Sequence, residues 1–394
     1  MAKSDPDSEA FTQGAVLILD EIVRRALVRG ASDIHLEPKR DRLQVRLRVD
    51  GWMVDEQSVG ADLASEVISR VKVLARMDIA ERRVPQDGQL TMEPDGKRVH
   101  LRVSTFPCAA GEKVVLRVLI GQKLIAFENL GMDSVTQGHV REVMSRPQGF
   151  VITSGPTGAG KTSTLYSFLS LVDTTRVNVM TLEDPVEVEI PTITQGQAHV
   201  RAGFTFAVGL RAILRQDPDV ILVGEMRDSE TAGIALQAAL TGHLVMSTLH
   251  TADSVETIVR LCDLGVEPWI IANALSAVIA QRLIRVVCEK CRQGAKLEAD
   301  LWDGDEVLAA AGSHVMVPRP GGCAACNRTG YRGRTGIFEV LVMEDELRDL
   351  IKVKASAREY REVLARRKLP SLRRMGFLRM QSGITTIDEV LRVT

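Results

Sequence analysis

The plainest chemistry in this chain is carried by "GPTGAGKT", Gly155 to Thr162. Glycines at 155, 158 and 160 let a loop wrap closely enough to aim backbone N–H groups at phosphate oxygens. Lys161 has the reach for the β and γ phosphates of a nucleotide, and the Thr162 hydroxyl suits a magnesium ion. An apolar run before the loop and a helical pattern after it supply the strand and the positive helix end such a grip uses. The phosphate-binding set is Gly155, Thr157, Gly158, Ala159, Gly160, Lys161, Thr162 and Ser163.

Kinases, switches and motors share that grip, so the reaction has to be read from its surroundings. "DPDVILVGEMRD" runs an apolar strand into Glu225, where an acid would orient an attacking water and contact the magnesium shell. Gly224 stands just before it, so the contact to metal is expected through water. A second acidic cluster, "TLEDPVE" with Glu183, Asp184 and Glu187, closes a neighbouring strand. In "TGHLVMSTLHT" two histidines, His243 and His250, flank a strand, which does not suit zinc. His250 either serves the fold or senses nucleotide. No nucleophile elbow and no catalytic Cys–His pair is present.

Six cysteines occur, four of them in two CxxC pairs: Cys288 with Cys291, and Cys323 with Cys326. In a reducing compartment that pattern points to metal before disulfide, and two such turns complete a closed tetrahedral site for structural Zn2+. The spacer exceeds the common zinc-ribbon range, and two redox pairs or four ordinary buried thiols are the alternatives. Cys108 and Cys262 are left as packing residues.

These groups need elements to position them. Residues 14–29 and 62–77 place apolar residues at helical spacing, while "RLQVRLRVDGWMVDEQ", "RVHLRVSTF" and "EKVVLRVLI" alternate as strands, the first around an Asp50-Gly51 hairpin signal. The first 120 or so residues therefore predict helices with an antiparallel sheet. From about residue 136, short apolar strands ("GFVITSG", "VNVMTLED", "DVILVGE", "HLVMSTLH") alternate with helical segments, as in a parallel α/β sheet. Each ends in a polar cluster, and ligands in such sheets lie beyond the carboxyl ends of the strands. A cysteine region and a helical, basic C-terminal part close the chain.

Composition limits the choice further. The chain has 394 residues, 45% hydrophobic and 26% charged, with a net charge of −1 that gives no global reason to expect nucleic acid or an anionic membrane. Neither a signal peptide nor a membrane-spanning run is evident, so a cytoplasmic protein is expected. The basic C-terminal stretch "KVKASAREYREVLARRKLPSLRRMGFLRM" interleaves charge with apolar residues at helical spacing, which favours a solvated helix face over a nucleic-acid surface.

The phosphate loop "GPTGAGKTST", the acidic box "TLEDPVE", the strand end "ILVGEMRDSETA" and the box "TGHLVMSTLHTADS" follow one another in an order that resembles the type II secretion and type IV pilus assembly ATPases. Upstream, "ASDIHLEP", "MDIAERRVPQDGQL" and "GEKVVLRVL", and downstream, "AQRLIRVVCEKC", "TGYRGRTGIFEVL" and "GITTIDEVLRVT", extend the resemblance from about residue 15 to the end. It implies a hexameric motor that hydrolyses ATP with Mg2+ and drives an inner-membrane platform protein, attached to the cytoplasmic face of the inner membrane through membrane-anchored partners. It also implies an α/β fold divided into a PAS-like domain (1–121), a linker (122–135), a RecA-like core (136–284), a four-cysteine zinc module (285–335) and a helical C-terminal subdomain (336–394). The chain opens almost directly at "SEAFTQGAVLILDEIV", so the additional N-terminal docking domain of many such proteins is expected to be missing. A nucleic-acid translocase with the same core and a nucleotide-dependent scaffold with negligible hydrolysis are the rival readings.

The resemblance also assigns roles. Glu225 becomes the catalytic glutamate, Glu183 the acidic-box residue near the attacking water, and His250 the histidine-box residue. Arg102 and Arg117 become cations that reach the γ-phosphate when domains close, and Arg211 and Arg215, four apart in "GLRAILRQDPD", become inter-subunit arginines. Read from their neighbours alone, Arg102 and Arg117 are equally well outward-facing residues of a half-solvated sheet, and Arg211 and Arg215 an exposed helix face.

Overall fold

A computed structural model describes residues 6–119, 124–296 and 314–394. They divide into two compact units, Met1–Gln122 and Lys123–Thr394. The expected boundary at 121/122 lies outside the described residues, as do residues 297–313 within the cysteine region.

In the first unit, helices α1 (Pro6–Val28) and α2 (Ala61–Leu74) accompany strands β1 (Ala31–Pro38), β2 (Arg42–Val49), β3 (Trp52–Asp55), β4 (Val59–Gly60), β5 (Gln86–Met92), β6 (Val99–Cys108) and β7 (Gly111–Leu119). The sheet runs β3-β2-β1-β7-β6-β5, with β4 paired to β2, and every pairing is antiparallel. Period-2 alternation sorts its two faces. Leu43, Val45 and Leu47 of β2, Leu101 and Val103 of β6, and Leu116 of β7 are fully buried in one core with Leu19 and Val23 of α1 and Val67 and Val71 of α2. The intervening residues put charge on the other face, where Lys113 pairs with Glu37 and Arg117 with Asp33. Under the helix side, Lys72 and Glu112 form a buried ion pair at 2.9 Å.

The second unit is an α/β fold. Helix α3 (Ser134–Met144) leads into β8 (Gly149–Ser154), α4 (Lys161–Leu169), β9 (Val179–Glu183), β10 (Thr194–Gln197), α5 (Phe206–Ile213), β11 (Val220–Val223), α6 (Ser229–Leu240), β12 (Leu244–Leu249), α7 (Ser254–Asp263), α8 (Pro268–Ala274) and β13 (Leu275–Val287). Then come the paired strands β14 (Arg292–Lys296) and β15 (His314–Pro318), strand β16 (Tyr331–Val342), and helices α9 (Asp345–Lys352), α10 (Ala357–Arg366), α11 (Leu372–Gln381) and α12 (Ile387–Val393). The main sheet has the order β10-β9-β11-β12-β8-β13-β16. It is parallel as far as β13, and β16 joins antiparallel.

The sequence explains this arrangement locally. Strands β8, β11 and β12 are buried along their whole length, as continuous apolar runs are when helices cover both faces of a parallel sheet. Helices α6 and α7 start where Asp228 and Asp253 accept the Thr231 and Glu256 backbone N–H groups. The divisions at 284/285 and 335/336 fall inside β13 and β16, so the cysteine region and the core are joined by two unbroken, mutually paired strands. No described helix is long and apolar enough to cross a membrane.

Candidate functional site

The phosphate loop leaves the carboxyl end of β8, which lies between β12 and β13, and delivers Lys161 as the first residue of α4. Gly160 caps that helix at φ +86° and Gly155 turns the chain out of β8 at φ +150°, conformations that admit little but glycine. Lys161 is 8% exposed. Its ammonium donates to the Gly155 and Pro156 carbonyls at 2.8 and 3.1 Å and to His250 Nδ1 at 3.3 Å. Burial pushes its pKa down to about 8; the Glu225 charge opposes that fall and Arg282 adds to it.

His250, just past β12, reaches Glu225 through Nε2 at 3.3 Å from Oε1. An ammonium can only donate, so Nδ1 must accept, and the neutral ring carries its proton on Nε2, donating to the carboxylate. Burial and the Lys161 charge both lower the His250 pKa, which favours that neutral form; Glu225 opposes them. The other Glu225 oxygen takes the Arg227 guanidinium at 2.9 Å. A line of groups, Lys161, His250, Glu225 and Arg227, thus joins the ends of three neighbouring strands. The sequence pointed to the first three. Arg227 was missed, although its place two residues past the acid of "GEMRD" was a usable signal.

Other candidates lie elsewhere. Glu183, at the end of β9, is 2% exposed, and its carboxylate is enclosed by the Tyr166 hydroxyl, by Thr181 Oγ1 at 2.6 Å and by Gln195 Nε2 at 3.2 Å. Tyr166 belongs to α4, so Glu183 ties the phosphate helix to the next strand. Burial and this carboxylate raise the Tyr166 pKa, keeping the phenol a donor. Arg211, in the last turn of α5, pairs with Glu230 at 2.6 Å, and Arg215 donates to the Arg211 carbonyl at 2.8 Å; both are exposed. In the first unit, Arg102 and Arg117 are register partners on adjacent strands and both side chains are exposed. Arg117 is held by the buried Asp33 at 2.9 Å.

Cys288, Cys291, Cys323 and Cys326 converge where β13 ends and β16 begins, with all four sulfurs within 4.8 Å of one another. Neighbouring sulfurs stand 3.8, 3.8 and 3.7 Å apart. Those separations are too long for disulfides, and they match the edge of about 3.8 Å that a tetrahedron with metal–sulfur bonds of about 2.3 Å requires. Backbone N–H groups of Cys323 and Gly330 point at the Cys326 sulfur, each at 3.2 Å. Burial raises the Cys326 thiol, yet these donors and the neighbouring thiols outweigh it and lower its pKa, whereas burial and its thiol neighbours raise that of Cys291. The donor set fits a closed, four-coordinate ion.

A family model described as "Type II/IV secretion system protein" matches residues 9–392. Among known proteins, the Type II secretion system protein E of Pseudomonas aeruginosa is 44% identical over 384 residues, covering 96% of this chain and 75% of that protein. The Type IV pilus assembly ATPase PilB of Thermus thermophilus is 44% identical over 387 residues, covering 98% of this chain and 44% of its own length. Among solved structures, the Legionella pneumophila ATPase DotB superimposes with a TM-score of 0.68 at 22% identity, covering 96% of this chain and 95% of that one, a likeness of fold.

Proposed function

The chain belongs to the Type II/IV secretion system protein family, and on that premise we propose that it is a ring-forming motor whose ATP hydrolysis is gated at the line Lys161–His250–Glu225. Membership makes it an ATP hydrolase of secretion or pilus assembly. The observation that carries the proposed mechanism is that one neutral imidazole joins the phosphate lysine to the candidate catalytic acid.

Incoming phosphate oxygens compete for Lys161 with the two loop carbonyls and with His250. Once Lys161 turns to phosphate, His250 loses the donor on Nδ1, and the ring, now held only through Nε2, can turn with or away from Glu225. Turned away, it leaves Glu225 a free lone pair to orient a water or accept its proton. Thr162 would hold the magnesium ion that neutralises the phosphates. Arg227 holds the second oxygen of Glu225 in place at 2.9 Å. Glu183, enclosed by three donors, serves this scheme by fixing α4 to β9.

Six copies form the ring, the first unit acts as a PAS-like domain that brings Arg102 and Arg117 toward the γ-phosphate, and Arg211 and Arg215 reach a neighbouring copy. Arg102 and Arg117 support this as exposed register partners on adjacent strands, with Arg117 held in place by Asp33 and Arg102 beside it. The cysteine module holds structural Zn2+, and the ring works at the inner membrane on a platform protein through membrane-anchored partners, with no nucleic acid involved.

The test is ATP hydrolysis and molar mass measured on the same size-separated fractions, with magnesium, over a range of protein concentrations. Activity should follow a ring-sized species, disappear in Lys161→Ala, and fall about 100-fold or more in Glu225→Gln while nucleotide binding persists. Monomers that hydrolyse at the full rate would sink the ring-gated mechanism, and stimulation by DNA would favour a translocase.

A further inference from the structure

Gln281 stands in the middle of β13, is 2% exposed, and uses both ends of its amide on the phosphate grip. Its Nε2 donates to the Ala159 carbonyl inside the loop at 2.7 Å, and its Oε1 accepts from the Thr164 hydroxyl on α4 at 2.7 Å. The two contacts straddle Lys161. Gln281 is also pressed against the loop: a Cβ at Gly155 would come within 2.6 Å of the Gln281 carbonyl oxygen, and one at Gly160 within 2.9 Å of Gln281 Nε2. The Gln281 carbonyl is held in turn by Arg282 Nη1 at 2.9 Å. The remaining Arg282 donors go to the Val393 and Ala252 carbonyls at 3.0 and 2.5 Å. The strand is thereby fixed from behind.

We infer that Gln281 is a positioning residue for nucleotide binding: it templates the phosphate loop, holding its backbone donors in the receiving shape before any nucleotide arrives. The physical reason is preorganisation. A glycine-rich loop loses much conformational freedom when it closes on phosphate, and a loop already closed on a rigid strand has lost that freedom beforehand. Removing the amide leaves the Ala159 carbonyl buried without its donor, and the loop must reorganise to satisfy it. Gln281 touches neither substrate nor metal in this scheme. The inference rests on the reading that this loop binds the nucleotide.

Binding of a fluorescent ADP, thermal stability, and the KM and kcat for ATP are to be measured on the full chain carrying Gln281→Leu, Thr164→Val, both together, or Lys161→Ala. Gln281→Leu should bind about tenfold more weakly, the size expected from two buried hydrogen bonds, with the loss in KM and kcat changed less than about threefold. The double variant should bind no more weakly than Gln281→Leu alone, because both act through one amide. Should Gln281→Leu fail to fold, the near-isosteric Thr164→Val decides: about threefold or greater weakening supports the template, and unchanged affinity overturns it. If Lys161→Ala abolishes binding while the Gln281 and Thr164 variants bind within about twofold of the parent, the template alone is wrong. If Lys161→Ala binds normally, the nucleotide lies elsewhere and the loop reading falls with it.

Discussion

Lys161 titrates near neutrality only because it is buried, and a nucleotide changes that. With burial holding its pKa at about 8, Lys161 is half deprotonated at about pH 8 and almost fully charged at about pH 6.5. Phosphate oxygens favour the charged form and raise the pKa, so nucleotide binding should take up about half a proton at about pH 8 and almost none at about pH 6.5. Calorimetry in two buffers of different ionisation enthalpy checks this: the heats should diverge at the higher pH and agree at the lower. Lys161→Arg, which stays charged throughout, should remove the divergence. The residue types of this site were readable because loop, acid and histidine each lie within one short run of sequence. Arg227 shared such a run with Glu225 and could have been read there, whereas Gln281 could not, because what makes it matter is a loop more than a hundred residues away that only the fold brings to it.

At the level of elements, helix α12 is tied to β13 by a buried carboxylate. Glu389 is 1% exposed, pairs with Arg285 at 2.6 Å and Arg392 at 2.8 Å, and also accepts the Arg285 backbone N–H. Burial alone would raise its pKa; the Arg392 and Arg285 hydrogen bonds outweigh burial and hold it at about 2. A depressed carboxylate stabilises the fold fully above its unfolded value of about 4.5 and loses that contribution as pH falls through about 2. Protection of the amides of residues 387–393, measured against the unstructured exchange rate at the same pH, should therefore hold down to about pH 5 and fall progressively below it, and Glu389→Ala should show the low protection already at neutral pH, losing about 3–5 kcal/mol. Equal protection in parent and variant at every pH would refute the tie. Strand types were legible because β8, β11 and β12 are short, mainly apolar runs that end in polar clusters. The continuation of β13 and β16 into the cysteine region was not legible, since a CxxC pair says nothing about the strand that delivers it.

For the whole molecule, two separate cores matter most. The first unit buries its own set of Val, Leu and Ile side chains, and the second surrounds its sheet with others. Units with independent cores are expected to melt in separate transitions, and a ligand bound to one moves that one alone. ADP at about a hundredfold over its dissociation constant should stabilise the Lys123–Thr394 transition by about 2.7 kcal/mol and leave the other where it was. A single transition, or two that shift together, would show that the units unfold as one.

Strand β13 finally acts as a ruler. It is 13 residues long, paired on both sides, and carries Gln281 against the phosphate loop and Cys288 just beyond its end. Side chains on a strand alternate, so inserting or deleting a single residue near its start would turn the glutamine away from the loop and reverse both neighbouring faces. Evolution and engineering alike can change what β13 is made of far more easily than how long it is.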